Sequence, residues 1–419
     1  MIVLFNYLLI FNVFAGGFVL FTSPFEFYLG YIFIICFLFV YIFRYHNINI
    51  NRNFLLILIV LTVSSLVNVY FGNDTLFLLA KQVLGILITG LAYYLLIKVN
   101  NYEIDKLFRI YLLITLIVAA IGIFQEFSFL VGFKNGYDYS WMIPKWRFIP
   151  MPGGGMLRVN SIFVEPTHLV ISMAPAFFVS LITFLKNNHS YLTKKASILI
   201  IICFILTFSV IVYVVFLISL LLIYSNKKKF KVILITLIMA ILIYIGYCFI
   251  PEIHMRISDA IGVITGEIQL TSSHATVYAY VSNAFVAFKS FISSPLFGRG
   301  LGSHPISYDE FILTGVSKVF WWAEGYTGIN KADANSLLLR LISETGLFGV
   351  VVVLYFVFKF RLKRSDNKNL QIISNAIFVL FIIQLLRQGH YFYNGLFFFV
   401  WVYYFAYKIY NKPNLRISE

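Results

Sequence analysis

Residues 194–231 read KKASILIIICFILTFSVIVYVVFLISLLLIYSNKKKFK. The apolar run inside this stretch is about 30 residues long, too much for one crossing of a hydrocarbon core that needs roughly 17–25 helical residues. Lys186, Lys194 and Lys195 precede it, and Lys227, Lys228, Lys229 and Lys231 follow it. Loops rich in lysine and arginine stay in the cytoplasm. Both ends of the run therefore lie on one side, and the chain crosses twice, turning near Thr207-Phe208-Ser209.

Outward from this stretch the chain keeps the same character. Of its 419 residues 61% are hydrophobic and 12% charged, with a mean hydropathy of +0.89. Soluble domains carry about 25% charged residues, and a soluble fold of this length has too little interior for so much apolar surface. Further spans are read at 2–22, 27–43, 54–72, 76–97, 109–132, 162–185, 232–250, 337–358, 371–391 and 394–410. The predicted fold class is an all-α polytopic membrane protein, a single integral membrane domain over 1–419 with about 12 transmembrane helices. The first run has no basic n-region and exceeds a signal-peptide core, so it reads as a retained span. Cys36, Cys203 and Cys248 all lie in apolar runs without metal spacing, and read as inert buried thiols.

The net charge is +15, from 32 Lys and Arg against 17 Asp and Glu. Basic clusters at 44–52, 98–109, 186–195, 227–231, 359–368 and 408–416, the last counted with the tail to 419, hold 20 Lys and Arg against four acids, Glu103, Asp105, Asp366 and Glu419. Everything else holds 12 basic and 13 acidic residues. With both termini inside, every cluster is cytoplasmic, so the charge is a topological signal and nucleic acid is not an expected partner. Two outer loops are too long to be simple turns: 133–161, rich in Gly, Pro and Trp, and 251–336, between spans 9 and 10. Both are too aromatic to be disordered. In the second, Val277, Val281, Phe285, Phe288 and Ile292 recur near helical spacing, predicting an amphipathic helix on the outer membrane surface.

Charges near a bilayer are costly and normally have a function or a partner. Arg147, Arg158, Arg256, Arg299 and Arg387 fall on or near the outer side, and arginine's fork of donors matches phosphate oxygens. Glu165 and His168 share a face at the start of the sixth span, as do Arg387 and His390 at the end of the eleventh. Partial desolvation there tunes a carboxylate or imidazole toward proton transfer, while ion pairing of Glu165 with Arg158, or helix capping beside Pro166, is the structural alternative. Arg340 and Glu344 are spaced to neutralise each other, and Asp74 is the nearest acid on the face of Lys81. Trp321, Trp322 and Tyr326 suit stacking on sugar rings or an interfacial aromatic belt. No motif indicates a metal site, and the glycine stretches at 153–155 and 298–303 follow no strand, so no cofactor is expected.

Four stretches resemble the O-antigen polymerase/ligase superfamily (Wzy and WaaL type). They are RVNSIFVEPTHL at 158–169, LTFS at 206–209, SPLFGRGLGSH at 294–304 and ANSLLLRLISETGLFG at 334–349. Ligase-type members usually carry His where this chain has Ala334 and Arg where it has Val210, and Glu165-Pro166 looks more like polymerases. The resemblance implies a metal-independent glycosyltransferase of the bacterial cytoplasmic membrane, its active site facing outward. It would join repeat units of a surface polysaccharide carried on undecaprenyl diphosphate, with a chain-length regulator as a further possible partner. On that basis Arg158, Arg299 and Arg387, with Arg147 and Arg256 as further outer arginines, are expected to hold the diphosphate. Glu165 is expected to act as base, with His390 or His168 in its place if it does not. A ligase of finished polymer and a flippase of lipid-linked oligosaccharide are the other two readings.

Overall fold

The computed structural model describes residues 2–23, 25–46, 50–151, 154–224, 251–315, 328–392 and 395–411, with scattered positions between 236 and 248. Helix α1 (Ile2–Phe11) leads through a short antiparallel pair, β1 (Val19–Phe21) and β2 (Phe27–Tyr28), into α2 (Leu29–Tyr45). Then come α3 (Arg52–Tyr70), α4 (Leu76–Val99), α5 (Ile104–Leu130), the single turn α6 (Lys134–Tyr137), α7 (Pro166–Lys186), α8 (Lys194–Leu206) and α9 (Ile211–Tyr224). The rest comprises α10 (Pro251–Thr265), α11 (Ala275–Ser293), α12 (His304–Gly315), α13 (Leu337–Lys359), α14 (Lys368–Leu386) and α15 (Leu396–Asn411). Six of these helices, α3, α4, α5, α7, α13 and α14, are long and apolar enough to cross a membrane. The protein is an all-α membrane protein. Most of 232–250, read as the ninth span, lies outside the described residues.

Side-chain caps set the helix starts. Asn51, Thr75, Thr193, Ser336 and Asn367 each accept a backbone N–H from the first turn that follows, and Pro166 opens α7, where its missing donor costs nothing. The long run at 194–225 divides into α8 and α9 around Thr207-Phe208-Ser209, with Phe208 at φ +45°. There the Thr207 hydroxyl donates to the Phe204 carbonyl at 2.8 Å. α7 is buried along most of its length and packs against α5, α8, α9 and α14. α3, by contrast, leaves Leu56, Ile59, Val63 and Val67 exposed, the surface a spanning helix offers to lipid. α11 forms where expected, but its buried side carries Ser282, Asn283, Val286 and Ser290 together with Val277, whereas Phe288 and Ile292 point outward. The five apolar positions are thus split between two faces, and on the buried face Asn283 meets the His304 ring at 3.0 Å and donates to the Ile329 carbonyl at 3.1 Å.

α13 is broken at buried Gly346, whose φ of +57° and ψ of −152° are closed to other residues without strain. The break frees peptide groups that would be ruinous in a lipid environment. Leu347 and Phe348 N–H groups donate to the carbonyls of Pro295 and Leu296 at 2.9 and 3.0 Å, and the carbonyls of Ser343 and Glu344 accept from Arg299 and Gly300 at 3.0 and 2.9 Å. Segment 295–300 is therefore spliced into the helix. The Glu344 carboxylate completes the joint, accepting from Gly302 N–H at 2.9 Å and from Arg340 Nε at 2.9 Å. A Cβ on Gly298 would fall 2.4 Å from the Glu344 carbonyl carbon, and one on Gly346 would fall 2.6 Å from Gly298 N.

The expected Asp74–Lys81 pair does not form. Asp74 packs on Gly300, whose added Cβ would lie 2.9 Å from Asp74 Oδ2, while Lys81 lines a cavity to which Asp74 does not contribute. Asp74 is 4% exposed; its Oδ1 accepts Thr75 N–H at 2.7 Å and its Oδ2 has no hydrogen-bond partner among the described residues. Burial, aided by the nearby Glu344 carboxylate, pushes its pKa up to about 7.

Two predictions follow from this joint. Gly298→Ala and Gly346→Ala should each lower stability by at least about 1–3 kcal/mol from backbone strain, read as a lower Tm in detergent. Gly155→Ala, in open space, should leave Tm unchanged. Because folded Asp74 holds its proton more tightly than the unfolded chain does, its contribution to stability falls as pH rises from about 4 to about 7. Asp74→Asn should match the wild-type Tm near pH 4 and exceed it at pH 8.

Candidate functional site

The four stretches quoted above meet two by two. Val159 N–H donates to the Leu206 carbonyl at 3.0 Å, and the Thr167 and Ser209 hydroxyls lie 3.5 Å apart, so 158–169 sits on 206–209. Segment 294–304 is the one spliced into 334–349. The first pair is held from α5: Gln125 Oε1 accepts Ser161 N–H at 2.8 Å, and its Nε2 donates to Asn160 Oδ1 at 3.0 Å. That fixes the approach to Glu165, the N-cap of α7. The second pair fixes the approach to α13. The stretches that carry Glu165 and Asn335 open onto a common cavity.

This cavity has a volume of about 880 Å³. One wall is the hairpin and the loop after α6, with Glu26, Tyr28, Lys145 and Arg147. Opposite lie Asp333, Asn335 and Arg340 from the start of α13 with Arg387, Gln388 and His390 from the end of α14. α4 contributes Lys81 and Gln82, and the first turn of α7 contributes His168 beside Glu165. Six Lys and Arg side chains face three carboxylates there, so the cavity is net cationic before its histidines are counted.

The ion pairs decide which charges are available. Lys145 binds Glu26, and Arg147 binds Glu165 at 3.2 Å. Buried Arg340 pairs with Glu344 at 2.9 Å, donates to the Gly389 carbonyl at 3.0 Å and lies 4.5 Å over the Tyr391 ring. Lys331 pairs with Asp309 outside the cavity lining, at 3.0 Å. Among the described residues, Lys81 and Arg387 have no ion-pair partner. Burial works against the Glu26 carboxylate, but its bonds to Lys145 and Tyr28 hold its pKa below the usual range. Asp333, despite burial, is likewise held low by His390 and Arg340.

Of the residues singled out in the sequence, Arg147, Glu165, His168, Arg387 and His390 line this one cavity. Arg158, Arg299 and Arg256 do not. Arg299 belongs to a separate groove of about 840 Å³ against α3, where its Nη2 donates to Asn73 Oδ1 at 2.8 Å and to Glu310 Oε2 at 2.5 Å under the Phe311 ring. Arg256 lines an apolar cleft between α9, α10 and α11. The expected grouping of Arg158, Arg299 and Arg387 on one diphosphate is therefore not what the fold assembles. Glu165 pairs with Arg147 rather than Arg158. Trp321, Trp322 and Tyr326 lie outside the described residues. Ala334 is fully buried, at φ +56°.

Lys81, Lys145 and Asp333 are cavity residues that the sequence reading did not assign to the site. Lys81 carried a usable signal, as a lone cation within a span. Lys145 and Asp333 sit in long loops whose folding nothing local specifies. Among the described residues, no three His, Cys, Asp or Glu side chains group as a metal site. No protein-family model and no curated protein matches the chain, so the reading of this cavity rests on its own residues.

Proposed function

We propose that this protein is a membrane glycosyltransferase that polymerises oligosaccharide repeat units carried on undecaprenyl diphosphate. In this reading it crosses the bacterial cytoplasmic membrane twelve times with both termini inside, and the cavity opens at the outer face. The observation that carries the proposal is the cavity's content: Arg387 and Lys81, cations without an ion-pair partner among the described residues, share one wall system with Glu165, His168 and His390. The resemblance of its lining stretches to the polymerase branch of the Wzy and WaaL superfamily supports the same reading.

The chemistry is consistent with these groups. A lipid diphosphate is already a good leaving group, so the reaction chiefly needs negative charge to be stabilised as the glycosidic bond to phosphate breaks. Arg387, with its fork of donors, and Lys81, as a point charge, supply that. The attacking sugar hydroxyl needs a proton acceptor, and three side chains of the right type line the same space. The cations already neutralised by Glu26 and Glu165 serve instead to shape the opposite wall.

The test is elongation of a synthetic lipid-diphosphate-linked repeat unit by purified protein. Wild type should give a ladder of longer products on a lipid carrier. Arg387→Ala should lower the rate by about 10²–10³-fold and leave single repeat units attached to lipid, and Lys81→Ala should lower it less. Normal ladders from both variants would sink the proposal. Transport of intact lipid-linked substrate across proteoliposomes with no new glycosidic bond would favour a flippase instead.

A further inference from the structure

Two segments distant in sequence are clamped together at the cavity wall. Gln388 N–H donates to the Asn335 carbonyl at 3.0 Å, the Ser336 hydroxyl donates to the Leu385 carbonyl at 2.7 Å, and Arg340 Nη1 holds the Gly389 carbonyl at 3.0 Å. The approach is so close that a Cβ on Gly389 would fall 1.6 Å from the Asp333 carbonyl oxygen. Ala334, Asn335 and Gln388 adopt φ of +56°, +60° and +111°, a left-handed region that costs each of them energy. Three strained non-glycine residues at one clamp are the mark of a geometry that the surrounding structure over-determines, as happens at functional sites.

What the clamp brings together is a carboxylate and an imidazole. Asp333 Oδ1 accepts Asn335 N–H at 3.2 Å, and Oδ2 accepts Gly389 N–H at 3.4 Å while lying 3.8 Å from His390 Nε2. Asp333 is the inner member, its side chain 17% exposed, and His390, at 40%, is the outer one. Of the other two candidates, Glu165 is engaged by Arg147 at 3.2 Å, and His168 lies beside it in the first turn of α7.

We infer that His390 takes the proton from the attacking sugar hydroxyl and that Asp333 is its positioning residue, an inference that rests on the transferase reading above. As the hydroxyl oxygen bonds to the anomeric carbon of the donor, the bond from that carbon to the diphosphate oxygen breaks, and its electron pair leaves on the lipid diphosphate beside Arg387 and Lys81. The hydroxyl proton passes to the imidazole, and Asp333 faces the resulting cation. Solvent later removes the proton. The carboxylate that faces the ring is itself held in place, because its two oxygens each accept a backbone amide.

Burial pushes the pKa of the His390 imidazole down to about 4; Asp333 and Glu26 act against that shift, and Arg340 and His168 act with it. The ring therefore stands neutral at neutral pH, and the Asp333 carboxylate is the nearest group that favours its protonated form.

The experiment uses full-length protein in detergent with the synthetic lipid-linked repeat unit. His390→Ala should lower kcat by about 10²–10⁴-fold, and added imidazole should restore at least about tenfold of that loss. Asp333→Asn should lower kcat with KM for the lipid-linked repeat changed little, Asp333→Glu should recover part of the rate, and Glu165→Gln should lose less than His390→Ala. Unchanged kcat in Asp333→Asn, or a His390→Ala enzyme that imidazole does not rescue, overturns the assignment. If Asp333→Asn loses its folded peak on size exclusion, His390→Ala with imidazole decides alone. Failure of wild type to elongate the repeat at all overturns the transferase reading, whereas elongation that is indifferent to both variants overturns only the dyad.

Discussion

The buried pair of Arg340 and Glu344 is the constraint on which the cavity end of this protein depends. With both side chains nearly inaccessible, neither charge can fall back on water. Removing one partner of such a pair typically costs about 3–5 kcal/mol. The loss here would spread, because each partner also holds backbone. Glu344 receives the N–H of Gly302, and Arg340 holds the carbonyl of Gly389. One ion pair thus ties the spliced segment 295–302 to the segment that carries Arg387 and His390. The break at Gly346 is tolerable only because that splice satisfies the peptide groups it frees.

The same pair shows how far sequence reasoning reaches. Arg340 and Glu344 are four apart on one helix, and their pairing was legible from spacing alone. So was the division of the 194–225 run, since lysines on both flanks demand an even number of crossings and Thr207-Phe208-Ser209 is the polar point at which to turn. The splice was not legible. Nothing local to Gly298 or Gly346 says that one will lie against the other, although their glycines are the residues that allow it. Asp74 and Lys81 mark the limit from the other side: helical spacing put them together, but Asp74 precedes the helix and is drawn to Gly300 instead.

For the cavity, residue type was legible and company was not. Arginine near an outer membrane surface signals an anion, but only three-dimensional pairing separates Arg387, which keeps its charge available, from Arg299, which spends it on Glu310 and Asn73. Glu165 and His168 share a helix turn and could be found together. Asp333 and His390 stand 57 positions apart in the chain, and they meet only because 335 bonds to 388 across the clamp.

The two walls of the cavity differ in how freely they can change. The inner one is interlocked through glycine contacts, a buried ion pair and strained backbone, so nearly any substitution there disturbs several partners at once. The outer one hangs on the hairpin and the loop after α6, and its pairs, Lys145 with Glu26 and Arg147 with Glu165, are partly exposed to solvent. Drift in that wall can reshape the space presented to a ligand while the opposite side stays constant. Such an arrangement lets one side of the space vary in shape and charge without unpicking the contacts that hold the other.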